Sequence, residues 1–129
     1  MKSKESYAVA VRREFTARHY LIGGDWGAEN DLHEHHYTVE FRVKGRQLDR
    51  HGYLIDIDDV TAALDEQVGR YREKTLNSLP EFASLNPSLE HLARSMGVAL
   101  AAFLDIQLQG LAVRIWENEF AWAEYRKEF

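Results

Sequence analysis

Apolar and polar residues alternate near the start of this chain. Tyr7-Ala8-Val9-Ala10-Val11 runs towards Phe15-Thr16-Ala17-Arg18-His19, and Tyr37-Thr38-Val39-Glu40-Phe41-Arg42-Val43 repeats the pattern. A period of two belongs to a strand with one buried face. The spacing predicts strands over roughly 6–19 and 35–45, with Gly23-Gly24-Asp25-Trp26-Gly27 between them as a long, exposed and mobile loop. The period then changes. After Gly52, Tyr53-Leu54-Ile55-Asp56 leads into Ile57-Asp58-Asp59-Val60, and Val60, Leu64 and Val68 share one helical face behind an acidic first turn. A second helix starts at Asn86-Pro87-Ser88-Leu89-Glu90 with Ser88 as its cap. Leu92, Met96, Leu100 and Phe103 form its buried stripe, and Gly110 ends it. Leu111-Ala112-Val113-Arg114-Ile115-Trp116-Glu117 and Ala121-Trp122-Ala123-Glu124-Tyr125-Arg126 complete a hairpin.

The order strand, strand, helix, helix, strand, strand predicts an α+β domain: a four-stranded antiparallel sheet with both helices on one face. The edges of so small a sheet are open templates for another chain, so pairing between subunits is expected. With 129 residues, 45% of them hydrophobic, the chain has the apolar material for one modest core and is expected to be a single domain over 1–129. Its net charge of −5, with scattered basic residues, lacks the footprint of a nucleic-acid binder. The longest apolar run, Val98 to Leu104, is far too short to span a membrane. Met1-Lys2-Ser3-Lys4-Glu5 has no apolar signal-peptide core behind it, so a cytoplasmic protein without membrane partners is expected. The absence of cysteine removes disulfides and thiol nucleophiles alike.

The chemistry concentrates in Leu32-His33-Glu34-His35-His36-Tyr37. Histidines two apart on a strand leave from the same face about 6.6 Å apart, within reach of one metal ion. His33 and His35 form such a half-site, whereas His36 falls on the opposite face. His19, at the end of the first strand, offers a third imidazole. Three neutral imidazoles with an open position are the ligand set of a catalytic zinc, while a structural zinc site would usually call on cysteines. The competing reading is of ordinary strand-end histidines. Three of the six histidines lie within one four-residue window, which favours the metal.

These residues resemble the family of 6-pyruvoyltetrahydropterin and 6-carboxytetrahydropterin synthases, whose members adopt the tunnelling fold. The resemblance runs from about residue 7 to the C-terminus and rests on six motifs in order. They are Phe15-x-Ala17-x-His19, Leu32-His33-x-His35, Gly52-Tyr53-Leu54-Ile55-Asp56, Leu76-Asn77 followed by Pro80, Asn86-Pro87-Ser88-x-Glu90, and Glu117 in the third strand. The resemblance implies sheets joined edge to edge into a barrel, trimers stacked into hexamers, and active sites at subunit boundaries. It implies zinc on His19, His33 and His35, with a small-molecule pterin as substrate. Glu117 would accept paired N–H bonds from the pterin ring, and Asn86 and Ser88 would contribute to substrate binding.

Several positions depart from the pattern. The family's proton-transferring Cys, four residues before the first of the paired histidines, is Glu29 here, and its Asp-His pair is Arg72-Glu73. Glu34 stands for the Gly between the metal histidines, and His36 for the Asn or Ser after them. Glu29 can act as the base if burial raises its pKa, and a family branch that cleaves the pterin side chain to a hydroxymethyl group carries Glu near this slot. Glu73 is either a second catalytic carboxylate or a surface partner of Arg72 or Lys74. His36 replaces the lost His only if the oligomer brings it to the pocket. The resulting expectation is a zinc-dependent lyase acting on dihydroneopterin triphosphate or a related pterin. The alternatives are a pterin-binding protein without synthase activity and a metal-binding oligomer of other function.

Overall fold

The early alternation builds two long strands, β1 (Tyr7–His19) and β2 (His33–Gly45), paired antiparallel with Tyr7 opposite Gly45 and His19 opposite His33. The structure, a computed structural model, describes residues 4–105 and 107–129. Helices α1 (Ile57–Tyr71) and α2 (Leu89–Ala101) follow. Strands β3 (Gly110–Trp116) and β4 (Trp122–Glu128) then extend the sheet in the order β1-β2-β3-β4, every pair antiparallel. Both helices lie on one face: α1 packs on β1, and α2 on β3 and β4. The expected four-stranded α+β architecture is the one observed.

The core lies between these layers. Phe15, Tyr37, Val39, Phe41, Val113 and Ile115 point from the sheet to Val60, Leu64, Val68, Leu92, Met96 and Leu100 on the helices, all of them buried. Gly97 lets α2 approach β4, because a side chain there would collide with the Tyr125 ring. Both helices begin as their sequences require. Asp56 caps α1 by accepting the Asp58 amide at 2.9 Å, and Ser88 caps α2 by accepting the His91 amide at 3.2 Å. The other sheet face carries a polar row, Arg12–Glu40–Arg114–Glu124, aligned across all four strands. Glu40, although buried, is held by Arg12 at 3.0 Å and Arg42 at 3.1 Å.

Three sequence expectations shift. Strand β2 starts at His33 rather than 35, because pairing with β1 continues as far as His19. Helix α2 stops at Ala101, so Phe103 lies beyond it and is exposed while Leu104 takes the buried position. Gly110 therefore does not end the helix but opens β3, where a side chain would strike the Lys127 carbonyl. Among the described residues no helix is long and apolar enough to cross a membrane.

The link between the helices and the segment joining them is polar. Glu81 accepts two bonds of 2.6 Å from Arg70 and one of 2.9 Å from Tyr71, whose hydroxyl also meets Ser95 at 2.8 Å. The Arg70 hydrogen bond is the main reason that Glu81 titrates at about 2 instead of its ordinary 4.5. A carboxylate pKa lowered by folding adds stability above the ordinary value, and that stability disappears as pH falls from 4.5 towards 2. Since Arg70 is half-exposed, solvent screening reduces the effect. Glu81→Gln should cost about 1–2 kcal/mol at pH 7. Thermal melts of both proteins from pH 7 to pH 2.5 should converge as acid is added; a gap that persists at low pH would refute the linkage.

Candidate metal centre and pterin site

The β1–β2 register creates the centre. His19 stands directly opposite His33, and His35 lies two residues further along β2 opposite Ala17. All three occupy the core face, in continuation of Phe15, Ala17 and Tyr37, where the hydrophobic layer gives way to imidazoles. Their metal-ligating atoms lie within 4.8 Å of one another. The ring centroids are 4.5 Å apart for His19 and His33, 5.0 Å for His19 and His35, and 4.8 Å for His33 and His35. His19 is buried and the other two are half-buried.

Backbone carbonyls set two of the tautomers. A carbonyl only accepts, so His19 Nδ1 donates to Pro87 O at 2.8 Å, and His33 Nδ1 donates to Asp31 O at 2.8 Å. This leaves each Nε2 with a bare lone pair. His33 Nε2 and His35 Nε2 are 3.0 Å apart, so both must face the same proton or the same cation. Burial lowers the His19 pKa; its bond to Pro87 opposes that shift, His33 and His35 reinforce it, and the charge of Glu29 opposes it. Neutral imidazoles with converging lone pairs and carbonyl-fixed outer nitrogens fit a bound zinc ion.

The other expected site residues divide into groups. Glu29 lies in a short 3-10 turn (Gly27–Asn30), within electrostatic reach of His19, and is exposed. Glu73 sits in a left-handed conformation (φ 62°) and pairs with Arg18 at 3.3 Å, not with Arg72 or Lys74. Arg18 also reaches Glu34 at 3.5 Å, so two of the departures from the family pattern meet on one cation. His36 falls on the opposite sheet face, as its parity requires, against Glu14 at 3.1 Å and Thr16 at 3.2 Å.

Glu117 lies one residue beyond β3 rather than within it, since pairing ends at Trp116 opposite Trp122. Register brings it level with Tyr37. The Tyr37 phenol is held neutral well above its usual pKa, chiefly by burial and then by the charge of Glu117, and its ring lies 5.6 Å from that of His35. Glu117 also lines an open cleft of about 570 Å³ with Glu14, His36, Thr38 and Trp116 on the outer face, and that cleft contains none of the three histidines.

Asn86 and Ser88 are engaged inside the fold. Asn86 Oδ1 accepts the Ile22 amide at 3.0 Å, and Ser88 Oγ accepts the His91 amide. The segment between β1 and β2 is exposed over 23–29, as expected, and is bonded at several points. Tyr20 is bonded to Asn77, Leu21 to Glu29 and Asn30, and Trp26 to Asn30. Sequence reading quoted Asn77 and Pro87 as motif positions without a role at the site, and missed Asn30 and the carbonyls of Pro87 and Asp31. An asparagine in a loop signals only that some backbone group is being held, not which one.

A sequence model of the 6-pyruvoyl tetrahydropterin synthase family matches residues 8–128. Among solved structures, the 6-pyruvoyl tetrahydropterin synthase of Caenorhabditis elegans superposes with a TM-score of 0.83 at 18% identity, over 99% of this chain and 100% of that one. The Plasmodium vivax enzyme gives 0.80 at 14% identity, over 98% and 100%. A P. vivax variant in which a glutamate, described as a catalytic residue, is replaced by alanine gives 0.79 at 14% identity over the same shares. No curated protein matches by sequence. The fold is that of these synthases, the tunnelling fold expected above.

The arrangement of imidazoles leads to a metal-binding prediction. One zinc per chain should bind at Zn–N distances of about 2.0–2.1 Å. His33→Ala and His35→Ala should each abolish stoichiometric zinc, while His36→Ala, on the far side of the sheet, should keep it. Full zinc content by elemental analysis in either of the first two variants would disprove the ligand assignment.

Proposed function

Because this chain belongs to the 6-pyruvoyl tetrahydropterin synthase family, we propose that it is a zinc-dependent lyase acting on dihydroneopterin triphosphate or a closely related pterin. The observation that carries this reading is the convergence of His19, His33 and His35, two with outer nitrogens fixed by backbone carbonyls. When bound, zinc supplies Lewis-acid polarisation of an oxygen on the pterin side chain. The remaining work falls to the protein.

In this reading Glu117 is the pterin anchor. Its ionised carboxylate has room for two N–H donors, and pairing with them discriminates against rings that lack either one. Tyr37, buried and neutral, forms the wall between the anchor and His35. Glu29 is the proton carrier, placed by the loop that follows His19. That a glutamate is a catalytic residue of the P. vivax enzyme supports a carboxylate in this role. Asn86 and Ser88 hold the fold around the site and are not assigned to substrate, and Glu73, engaged by Arg18, is assigned no proton.

Assembly completes the site. Strands β1 and β4 are the sheet edges, and Tyr7, Phe120 and Trp122 beside them are 42%, 89% and 49% exposed. Large apolar side chains along open edges support closure into a barrel between subunits, as a hexamer built from two trimers. A neighbouring subunit would also supply the cover over Glu29 that one chain lacks. A pterin-binding protein without synthase activity is the second reading, favoured by the exposure of Glu29 and the commitment of Glu73 to Arg18.

Incubation of the zinc-loaded protein with dihydroneopterin triphosphate, followed by product identification, tests the proposal. Loss of triphosphate or release of a hydroxymethylpterin is expected. Pterin binding without turnover would replace this reading with the second.

Glu117→Ala should weaken pterin binding by about 2–4 kcal/mol, roughly 30- to 1,000-fold, through loss of charged hydrogen bonds. Glu29→Gln should leave affinity almost unchanged and remove turnover, because a proton carrier acts in the transition state rather than in the bound ground state. Calorimetric titration of both variants decides the matter: an equal loss of affinity would contradict this division of labour.

A further inference from the structure

The chain leaving β1 is gripped by a side chain that behaves like a neighbouring strand. Asn77 Oδ1 accepts the Tyr20 amide at 3.0 Å, and Asn77 Nδ2 donates to the Tyr20 carbonyl at 2.9 Å. Both backbone groups of the residue next to His19 are thus taken up by one primary amide. Asn77 is itself anchored. It sits in the 3-10 turn Leu76–Ser78, whose Leu76 is fully buried. Just before that turn, the Glu73 amide donates to the Thr16 carbonyl at 2.7 Å, and the Arg18 amide donates to the Lys74 carbonyl at 2.9 Å. A short strip outside the sheet therefore pairs with the last turn of pleat in β1 and ends in the amide of Asn77.

We propose that Asn77 is a positioning residue of the histidine centre: its two-bond grip on Tyr20 sets the peptide planes that aim His19 at His33 and His35. The bond from His19 Nδ1 to Pro87 O fixes the tautomer and tilt of the ring, but the ring turns with its backbone. On the C-terminal side of His19, the backbone of Tyr20 is held by Asn77. The grip also reaches Glu29, since Leu21, the next residue, donates to the Glu29 carbonyl at 3.0 Å. Tyr20 is exposed, so water can take over both of its backbone groups when Asn77 is removed. Global stability should therefore change little, while the aim of the ligand suffers.

The inference rests on reading the three histidines as a metal centre, and cobalt(II) alone serves as the probe. Asn77→Ala should bind cobalt about 10- to 100-fold more weakly than the wild type, in line with losses of supporting residues around metal ligands. The visible bands of its bound cobalt should also change, a signature that a purely structural role would not move. Asn77→Asp keeps an acceptor for the Tyr20 amide but sets a carboxylate against the Tyr20 carbonyl, so it should also bind weakly, and it carries the comparison should the alanine variant fail to fold. Asp49→Ala is the control. Asp49 Oδ1 accepts the His51 and Tyr53 amides in a turn near the other end of β1, and its loss should leave cobalt affinity and spectrum unchanged. In metal-free protein, amide exchange at Tyr20 should accelerate in Asn77→Ala and not in Asp49→Ala. Wild-type affinity and spectrum in a folded Asn77 variant, or an equal loss in Asp49→Ala, would overturn the proposal. A wild type that takes up no cobalt would instead overturn the metal reading and the inference with it.

Discussion

Everything in this protein depends on the register between β1 and β2. With His19 opposite His33 and Ala17 opposite His35, three imidazoles are added to the face that already carries Phe15, Tyr37 and Val39 into the core. A slip of one residue would turn one strand's entire set outwards, exposing its apolar residues and separating the histidines in the same step. The hydrophobic layer therefore enforces the geometry of the centre. Folding the core brings the three histidines together, and backbone carbonyls beyond the paired strands then fix two of their rings.

The same register explains which parts of the site were legible in the sequence. Parity along a strand is strict, so His33, His35 and the exclusion of His36 follow from counting, and apolar alternation reveals which face is inward. The helices announced themselves through Val60, Leu64 and Val68, the acidic first turn of α1 and the cap at Ser88, whereas the cap at Asp56 emerged only in the structure. Illegible were the ends and the partners. Helix α2 stops one turn early and Glu117 falls just outside β3, because boundaries are set by pairing and packing that local pattern does not encode. Nor does a sequence show that Asn86 holds Ile22 or that Pro87 supplies a carbonyl to His19, since such bonds join residues more than sixty positions apart.

Glycines and small polar residues between β1 and β2 suggested a mobile loop. The structure shows which side chains bond to the backbone of this segment, which has no core of its own. Asn30 accepts from Trp26 and donates to Leu21 and Gly24, while Asn77 and Asn86 grip it from outside, so its backbone groups are satisfied by side-chain amides in place of a sheet. Loop composition reports how flexible the free chain would be. It says little about the state of a segment whose hydrogen bonds come from elsewhere.

The departures from the family pattern also gain a physical account. Glu34, between His33 and His35, and Glu73 both converge on Arg18, the residue that stands opposite Glu34 on the neighbouring strand. Partly exposed pairs of this kind contribute little to stability, so their effect is one of charge placement. Arg18 and Glu34 lie by parity on the sheet face away from the histidines, and Glu73 reaches the same guanidinium from the segment after α1. Beside the three imidazoles stand the buried phenol of Tyr37, with Glu117 level with it, and the exposed carboxylate of Glu29 on the loop that Asn77 and Asn30 bond to. Charge on this part of the sheet is thus sorted by strand parity, with Arg18 and Glu34 on one face and the three imidazoles on the other.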